Sequence, residues 1–382
     1  MFTLGINHPW VDCGHDFGPR PPPWQGGAPR DWPAVARDLR RWREAAGVTV
    51  TRFWILAAGK NYPVGADPLG VFDRAPFPRA GRGAERLLPR GPLPTLGDGF
   101  LDDLAALLGA CAEAGVRLMP VLASFELFHP LEEQGGGVLS RGRGALVFGT
   151  TRDAAPRQLR AFLDATLEPV LDVLATRPAA VAAVDLMNEP DWPTVGGPRQ
   201  LVLGPGRPRF MAKTVPGEAM SALLAEGVER VLRRGLVATI GFKEANPGWL
   251  SAGLRRRLAA LGRGGRYIHQ LHHYPSPHEL RRLPAHERLP FQPCWVGELP
   301  TAIAWPPTPH AIPWPDEPRT LGEARDPERY LARRLRIIRA RGYPGALLWG
   351  ARSTEGLSAW GPAQWRQCLA KDRAPPQAFA SS

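Results

Sequence analysis

Four times along the chain, a segment with helical spacing ends in small residues and a glycine, and an apolar run begins at once. The stretches are "REAAGVTVTRFWIL" around Gly47, "CAEAGVRLMPVLASF" around Gly115, "VLRRGLVATIGF" around Gly235 and "IIRARGYPGALLWG" around Gly342. A glycine just past a helix takes the left-handed C′ position without a side-chain penalty, and the chain then leaves in a new direction. The segments before it place apolar residues three or four apart. Trp32, Val35, Leu39, Trp42 and Ala46 do so in one, and Leu101, Leu104, Leu108 and Cys111 in another. The runs that follow are continuously apolar rather than alternating, as parallel strands covered on both faces should be.

Repetition of such a unit leaves few architectures open. Candidate strands fall at residues 2–6, 48–56, 116–123, 181–187, 236–242, 267–272, 294–298 and 346–350. Helical patterns lie between most of them, near 31–46, 101–114, 156–175, 217–234, 248–261 and 327–341. Strands alternating with helices over this length predict an α/β fold of the closed (β/α)8 TIM-barrel type. An open doubly wound sheet is the rival. It would carry a glycine-rich phosphate loop after its first strand, and "GINHPW" is not one. We expect a single barrel domain over residues 1–370 and a disordered tail over 371–382, "KDRAPPQAFASS".

Proline and glycine, at 43 and 42 residues, concentrate in long segments at 57–99, 125–155, 189–215 and 299–326. Each follows a strand and precedes a helix, whereas the turns from helix to strand are short. In a barrel, those segments are the βα loops of the C-terminal face, where active sites are built.

The formal charge of +12 raises the question of a phosphate-rich partner. Lysine occurs only at Lys60, Lys213, Lys243 and Lys371, so arginine scattered over the chain supplies nearly all of the charge. No dense basic run is interleaved with aromatics, so no nucleic-acid partner is expected. No apolar run approaches the roughly 18 residues of a membrane span, and no membrane partner is expected either. The start, "MFTLGINHPW", has no basic region ahead of its apolar residues, which leads us to expect a cytoplasmic protein. Cys13, Cys111, Cys294 and Cys368 form no CxxC pair and match no zinc spacing, so free thiols are expected.

The strand ends carry the chemistry. Asn7, His8 and Trp10 end the first run, Arg52 and Trp54 the second, and Asn188 and Glu189 the fourth, in "VDLMNEPDW". His272, His273 and Tyr274 end the sixth, Glu298 the seventh in "PCWVGELP", and Trp349 the eighth. In a barrel these residues converge on one mouth, with a carboxylate on each of two separated strands. Two carboxylates flanking a ligand suit glycosidic cleavage, one protonating the leaving oxygen and the other attacking the anomeric carbon or activating water. The tryptophans beside them, from a total of 13, suit the apolar faces of sugar rings. The cluster "HQLHHY" raises a metal site as an alternative. Metal-dependent barrels of the amidohydrolase kind usually begin with His-x-His on strand one, and "INHPW" offers one histidine, so neither metal nor cofactor is expected.

With "NEP" on strand four and "WVGELP" on strand seven, the chain resembles the retaining β-glycosidases of clan A, and especially glycoside hydrolase family 5. The match in order and strand placement runs from Gly5 to Trp349. The resemblance implies that Glu189 is the acid/base and Glu298 the nucleophile. It implies that Asn188 contacts the sugar 2-hydroxyl, and that Arg52 and Tyr274 hold the nucleophile. It further implies that His272 contacts substrate or acid/base and that Trp349 lies under the sugar at the cleavage site. Trp54 and Trp10 are read either as further sugar contacts or as core packing. The family often has a histidine near the end of strand three; here the chain reads "VLASFELFHP", where Ser124 or His129 stands in that place. The expected activity is hydrolysis of a β-glucan or β-mannan type oligo- or polysaccharide. A non-catalytic carbohydrate-binding barrel and a transglycosylase are the alternatives.

Overall fold

A computed structural model describes residues 2–8, 16–18, 30–56, 96–125, 160, 162–198, 213, 215–273, 283–300 and 327–349, together with the backbone of four short strands at 72–76, 85–89, 201–202 and 209–210. Eight strands form a closed barrel: β1 (Thr3–Asn7), β2 (Val50–Trp54), β3 (Arg117–Ser124), β4 (Val184–Asn188), β5 (Ala238–Phe242), β6 (Tyr267–His272), β7 (Cys294–Pro300) and β8 (Gly345–Trp349). Each pairs in parallel with its sequence neighbours, and β8 closes on β1 with Asn7 opposite Trp349. The fold is the (β/α)8 barrel that the repeated units predict.

The helices are α1 (Trp32–Ala46), α2 (Phe100–Ala114), α3 (Glu168–Ala175, entered through a π-turn at Leu163–Leu167), α4 (Gly217–Arg233), α5 (Ala252–Arg263) and α6 (Pro327–Ala340). Local chemistry accounts for their ends. The Asp31 carboxylate caps α1 by accepting from the Ala34 N–H at 2.7 Å, and the Ser251 hydroxyl caps α5 by accepting from Leu254. Gly47, Gly115, Gly235 and Gly342 all have positive φ, between 65° and 82°, as a left-handed stop requires. Between β6 and β7 the described residues contain only a 3-10 turn at His286–Arg288, where no helical pattern was read.

The main core lies between barrel and helices, where Leu39 of α1, Leu104 and Leu108 of α2 and Val228 of α4 meet outward-facing strand residues such as Phe53 and Leu118. A separate apolar cluster of Val50, Met119, Ala182, Ala183, Trp295 and Leu347 fills the lower barrel interior. Alternation along β2 then fixes what stands above it. Val50 faces inward, so Arg52 and Trp54 do too, one and two layers nearer the C-terminal mouth. Among the described residues, no helix is long and apolar enough to cross a membrane.

Candidate active site

Arg52 stands at the centre of the barrel mouth, fully buried. Its guanidinium donates from Nε to Asp185 Oδ2 (2.7 Å), from Nη1 to Glu298 Oε1 (2.7 Å) and Asn7 Oδ1 (3.0 Å), and from Nη2 to Asn188 Oδ1 (2.9 Å). A buried charge is costly unless it is paired and fully hydrogen-bonded, and here three strands supply the four partners. Burial works against the charged form, but Asp185 and Glu298 outweigh it and raise the Arg52 pKa. The Trp54 ring lies under the guanidinium, 4.3 Å from its carbon, with 3% of the residue exposed. Trp349, partly exposed, stands edge-on to Trp54 with ring centroids 5.4 Å apart.

The two carboxylates of β4 and β7 meet across His272. Its Nδ1 lies 3.2 Å from Glu189 Oε1 and 3.3 Å from Glu298 Oε1. An oxygen from each carboxylate and this ring nitrogen all fall within 4.8 Å of one another. Such atoms are of metal-ligand type, yet each already has a protein partner. Glu298 Oε1 accepts from Arg52, a fixed positive charge that opposes a cation at the same spot. On the far side of Glu189, the Trp192 indole Nε1 donates to Oε2 at 2.6 Å.

Two departures from regular backbone aim these groups. Strand register shifts near the C-terminal ends: between Asp185 and Asn188 on β4, between Leu271 and His272 at the β6–β7 pairing, and between Val296 and Leu299 at the β7–β8 pairing. A register shift of this kind turns side chains that strict alternation would send elsewhere. Glu189 itself has φ +50°, a left-handed conformation at a residue that also precedes a proline. Both conditions are unfavourable for a residue with a side chain, at a cost on the order of 1–3 kcal/mol, and such strain collects at functional sites. The strain is held by a hydrogen bond from Glu189 N to Gly241 O at 2.7 Å.

Glycines make the close approach possible. A Cβ on Gly241 would sit 2.4 Å from His272 Nε2 and 3.0 Å from Arg52 Nη2, and one on Gly297 would sit 2.5 Å from Gln270 Oε1.

The structure thus brings Arg52, Asn188, Glu189, His272 and Glu298 together, with Trp54 and Trp349 beside them. Trp10, Tyr274 and His129 lie outside the described residues. At the end of β3, Ser124 Oγ accepts from Asn188 Nδ2 at 3.3 Å. Of the cysteines, Cys111 and Cys294 are buried and free; Cys13 and Cys368 lie outside the described residues. Sequence reasoning passed over Asp185, Gln270 and Trp192. Asp185 was findable: a carboxylate inside an apolar strand needs a buried partner, and Arg52 is an equally misplaced charge on another strand. Gln270 joins them by donating from Nε2 to Asp185 Oδ2 (2.9 Å) and Thr239 Oγ1 (2.8 Å).

The electrostatics of Glu189 run against what a neighbouring carboxylate would do alone. The charge on Glu298 should raise the pKa of Glu189. Burial also pushes upward, but the hydrogen bond and charge of His272, the charge of Lys243 and the hydrogen bond from Trp192 together hold the carboxyl at about 2. Asp191, fully buried one turn further on, moves the other way, up to about 7, through burial and the neighbouring Glu244 and Glu189 charges.

No family model and no curated protein matches the chain. Solved structures do. The β-mannanase of the blue mussel Mytilus edulis superposes with a TM-score of 0.54 at 13% identity, over 98% of this chain and 92% of that one. The endo-1,4-β-mannanase of Eisenia fetida gives 0.55 at 17% identity, over 97% and 91%. A Bacteroidetes-affiliated GH5 cellulase gives 0.51 at 12% identity, over 97% and 90%. The class that fold and neighbours define is the closed (β/α)8 barrel. Within that class, the likeness to the two mannanases and the cellulase is one of fold.

Proposed function

We propose that the protein is a retaining β-glycosidase acting on a β-linked glucan or mannan type chain, with Glu298 as nucleophile and Glu189 as acid/base. The observation that carries this reading is the pair of carboxylates at the ends of β4 and β7, with oxygens within 4.8 Å across His272. Retaining enzymes hold their carboxyl groups about 5–5.5 Å apart, whereas inverting ones leave about 6.5–9.5 Å for a water. The asymmetry of surroundings also supports the two roles. Glu298 accepts from a permanently charged guanidinium, which fixes the orientation of a nucleophile's carboxylate. Glu189 faces a histidine and an indole N–H, neighbours that tolerate gain and loss of a proton.

Glu298 attacks the anomeric carbon as the C–O bond to the leaving group breaks, and the departing oxygen takes a proton from Glu189. Water then gives its proton to Glu189 and attacks the same carbon, releasing Glu298. Glu189 must enter the first step protonated. In this reading a bound sugar must offset the His272, Lys243 and Trp192 interactions that favour the carboxylate. Trp349, at the open side of the mouth, is the sugar platform in this reading, and Asn188 reaches the 2-hydroxyl.

Kinetics on aryl β-glycosides, soluble β-glucans and β-mannans test the proposal. Glu298→Gln should remove nearly all activity on every substrate. Glu189→Gln should impair substrates with poor leaving groups far more than activated aryl glycosides, and azide should rescue Glu189→Ala with a β-azide product. Equal losses on both substrate types would contradict the acid/base assignment, and sugar binding without turnover would make the chain a carbohydrate-binding barrel.

A further inference from the structure

The turn after β4 is tied down more heavily than a loop beside a strand needs to be. Lys213 Nζ donates to the carbonyls of Asp191 (3.0 Å), Trp192 (2.7 Å) and Pro198 (2.5 Å), which uses all three ammonium protons. The buried Asp191 carboxylate accepts from the Lys243 backbone N–H at 2.6 Å and from the Trp249 indole at 3.1 Å, which fastens the turn to the segment after β5. The Thr194 hydroxyl donates to Pro190 O at 2.6 Å. These bonds converge on a single side chain, Trp192, which is 8% exposed. The ammonium groups of Lys213 and Lys243 lie 6.0 Å and 5.9 Å from its ring centroid, within cation–π range. Its one polar atom points at Glu189 Oε2, 2.6 Å away.

We infer that Trp192 is a positioning residue that holds the Glu189 carboxyl in place for proton transfer at the leaving-group oxygen. The inference rests on Glu189 being the acid/base. Glu189 sits on strained backbone, so its side chain needs an external restraint to keep one orientation. Trp192 supplies it on Oε2, while Oε1 faces His272 and Glu298. An indole N–H only donates, so it binds the carboxylate in the same geometry before and after each proton transfer. Asp191 and Lys213 act one step further out, by fixing the backbone that aims the ring.

The test compares wild type with Trp192→Phe, which keeps a ring and removes the N–H. With a methyl β-cellobioside and a 2,4-dinitrophenyl β-cellobioside as the poor and activated leaving groups, kcat/KM should fall on the order of tenfold or more on the first and stay within roughly threefold on the second, since general-acid assistance is spent on the poor leaving group. Equal losses on both would make Trp192 a packing residue and overturn the inference. A second readout needs no turnover: the 15N-indole resonance absent from the Trp192→Phe spectrum should move in Glu189→Gln, where its acceptor loses its charge. An unmoved resonance overturns the contact. A moved resonance in a chain that hydrolyses no glycoside overturns the proposed function instead, and with it the catalytic meaning of Trp192.

Discussion

Arg52→Lys keeps the charge at the centre of the mouth and removes the geometry. The guanidinium reaches four acceptors on three strands, and the two at 2.7 Å are carboxylates. A lysine ammonium is a point charge on a flexible stem and cannot span Asp185 and Glu298 with the same planar fork. One of those two charge-assisted bonds is lost, at about 1.5–3 kcal/mol, and the Asn7 and Asn188 carbonyls lose their donor at about 1 kcal/mol each. The sum is about 3.5–5 kcal/mol of folding stability, within the range found when a buried pair loses a partner. Part of the loss falls on catalysis, because Glu298 and Asn188 are both oriented by the same side chain. A kcat/KM drop on the order of 100-fold is expected, alongside a lower urea midpoint with unchanged slope. Chemical denaturation and steady-state kinetics on the same preparation read both. A lysine variant with wild-type stability and wild-type turnover would show that positive charge alone, and not the fork, organises the mouth.

Three further perturbations separate the parts of the site. Gly241→Ala puts a methyl group 2.4 Å from His272 Nε2, so the ring must shift off the two carboxylates; kinetics should show more than a tenfold loss, with overpacking costing about 1–3 kcal/mol in denaturation, and wild-type activity would refute the crowding argument. Asp191 has a folded pKa raised from 3.8 to about 7, so its folded form holds the proton more tightly, and its contribution to stability falls as pH climbs from about 4 to 7. His269 and His273, lowered to about 3, slope oppositely below pH 6.5, so the measurement is the difference between wild type and Asp191→Asn, which should lose the Asp191 slope alone. Trp349→Ala should lower kcat/KM by roughly 2–4 kcal/mol if the ring carries the sugar. If the ring only packs against Trp54, the loss appears as about 3–5 kcal/mol of stability with kinetics intact.

The barrel was legible because its signals are local. A parallel strand is a short apolar run, a helix end is a glycine in the left-handed region, and both can be read within about a dozen residues. The strands were displaced by one to three residues at several ends, at both faces of the barrel. The run at 181–187 begins as a strand only at Val184 and passes through a register shift to Asn188, and β7 continues to Pro300 beyond a shift at the Glu298 level. No composition signal marks such a shift. It exists because a carboxylate at the mouth must point at a partner on another strand.

The site was legible at its strand ends and hidden one layer below. Glu189, Glu298, Arg52 and His272 could be singled out because charge at the end of an apolar run is unusual. What connects them spans large separations: Arg52 is 133 residues from Asp185 and 246 from Glu298. A buried guanidinium needs every donor matched, so the number of partners was foreseeable, but their identity depends on which strands face one another across a closed barrel. Gly241 and Gly297 are a sharper case. Each is unremarkable in sequence, and each is required because a histidine or glutamine from the neighbouring strand occupies the space of its missing side chain. Trp192 was hidden for a different reason. It follows a proline that ends the strand, and an aromatic there suggests a sugar platform, whereas its polar edge turns inward to Glu189. The direction of that edge follows from the positive φ of Glu189 and the three carbonyls gathered by Lys213, both properties of the folded turn. Local pattern therefore locates the charged groups at the strand ends, and only tertiary contact decides how each carboxylate is held.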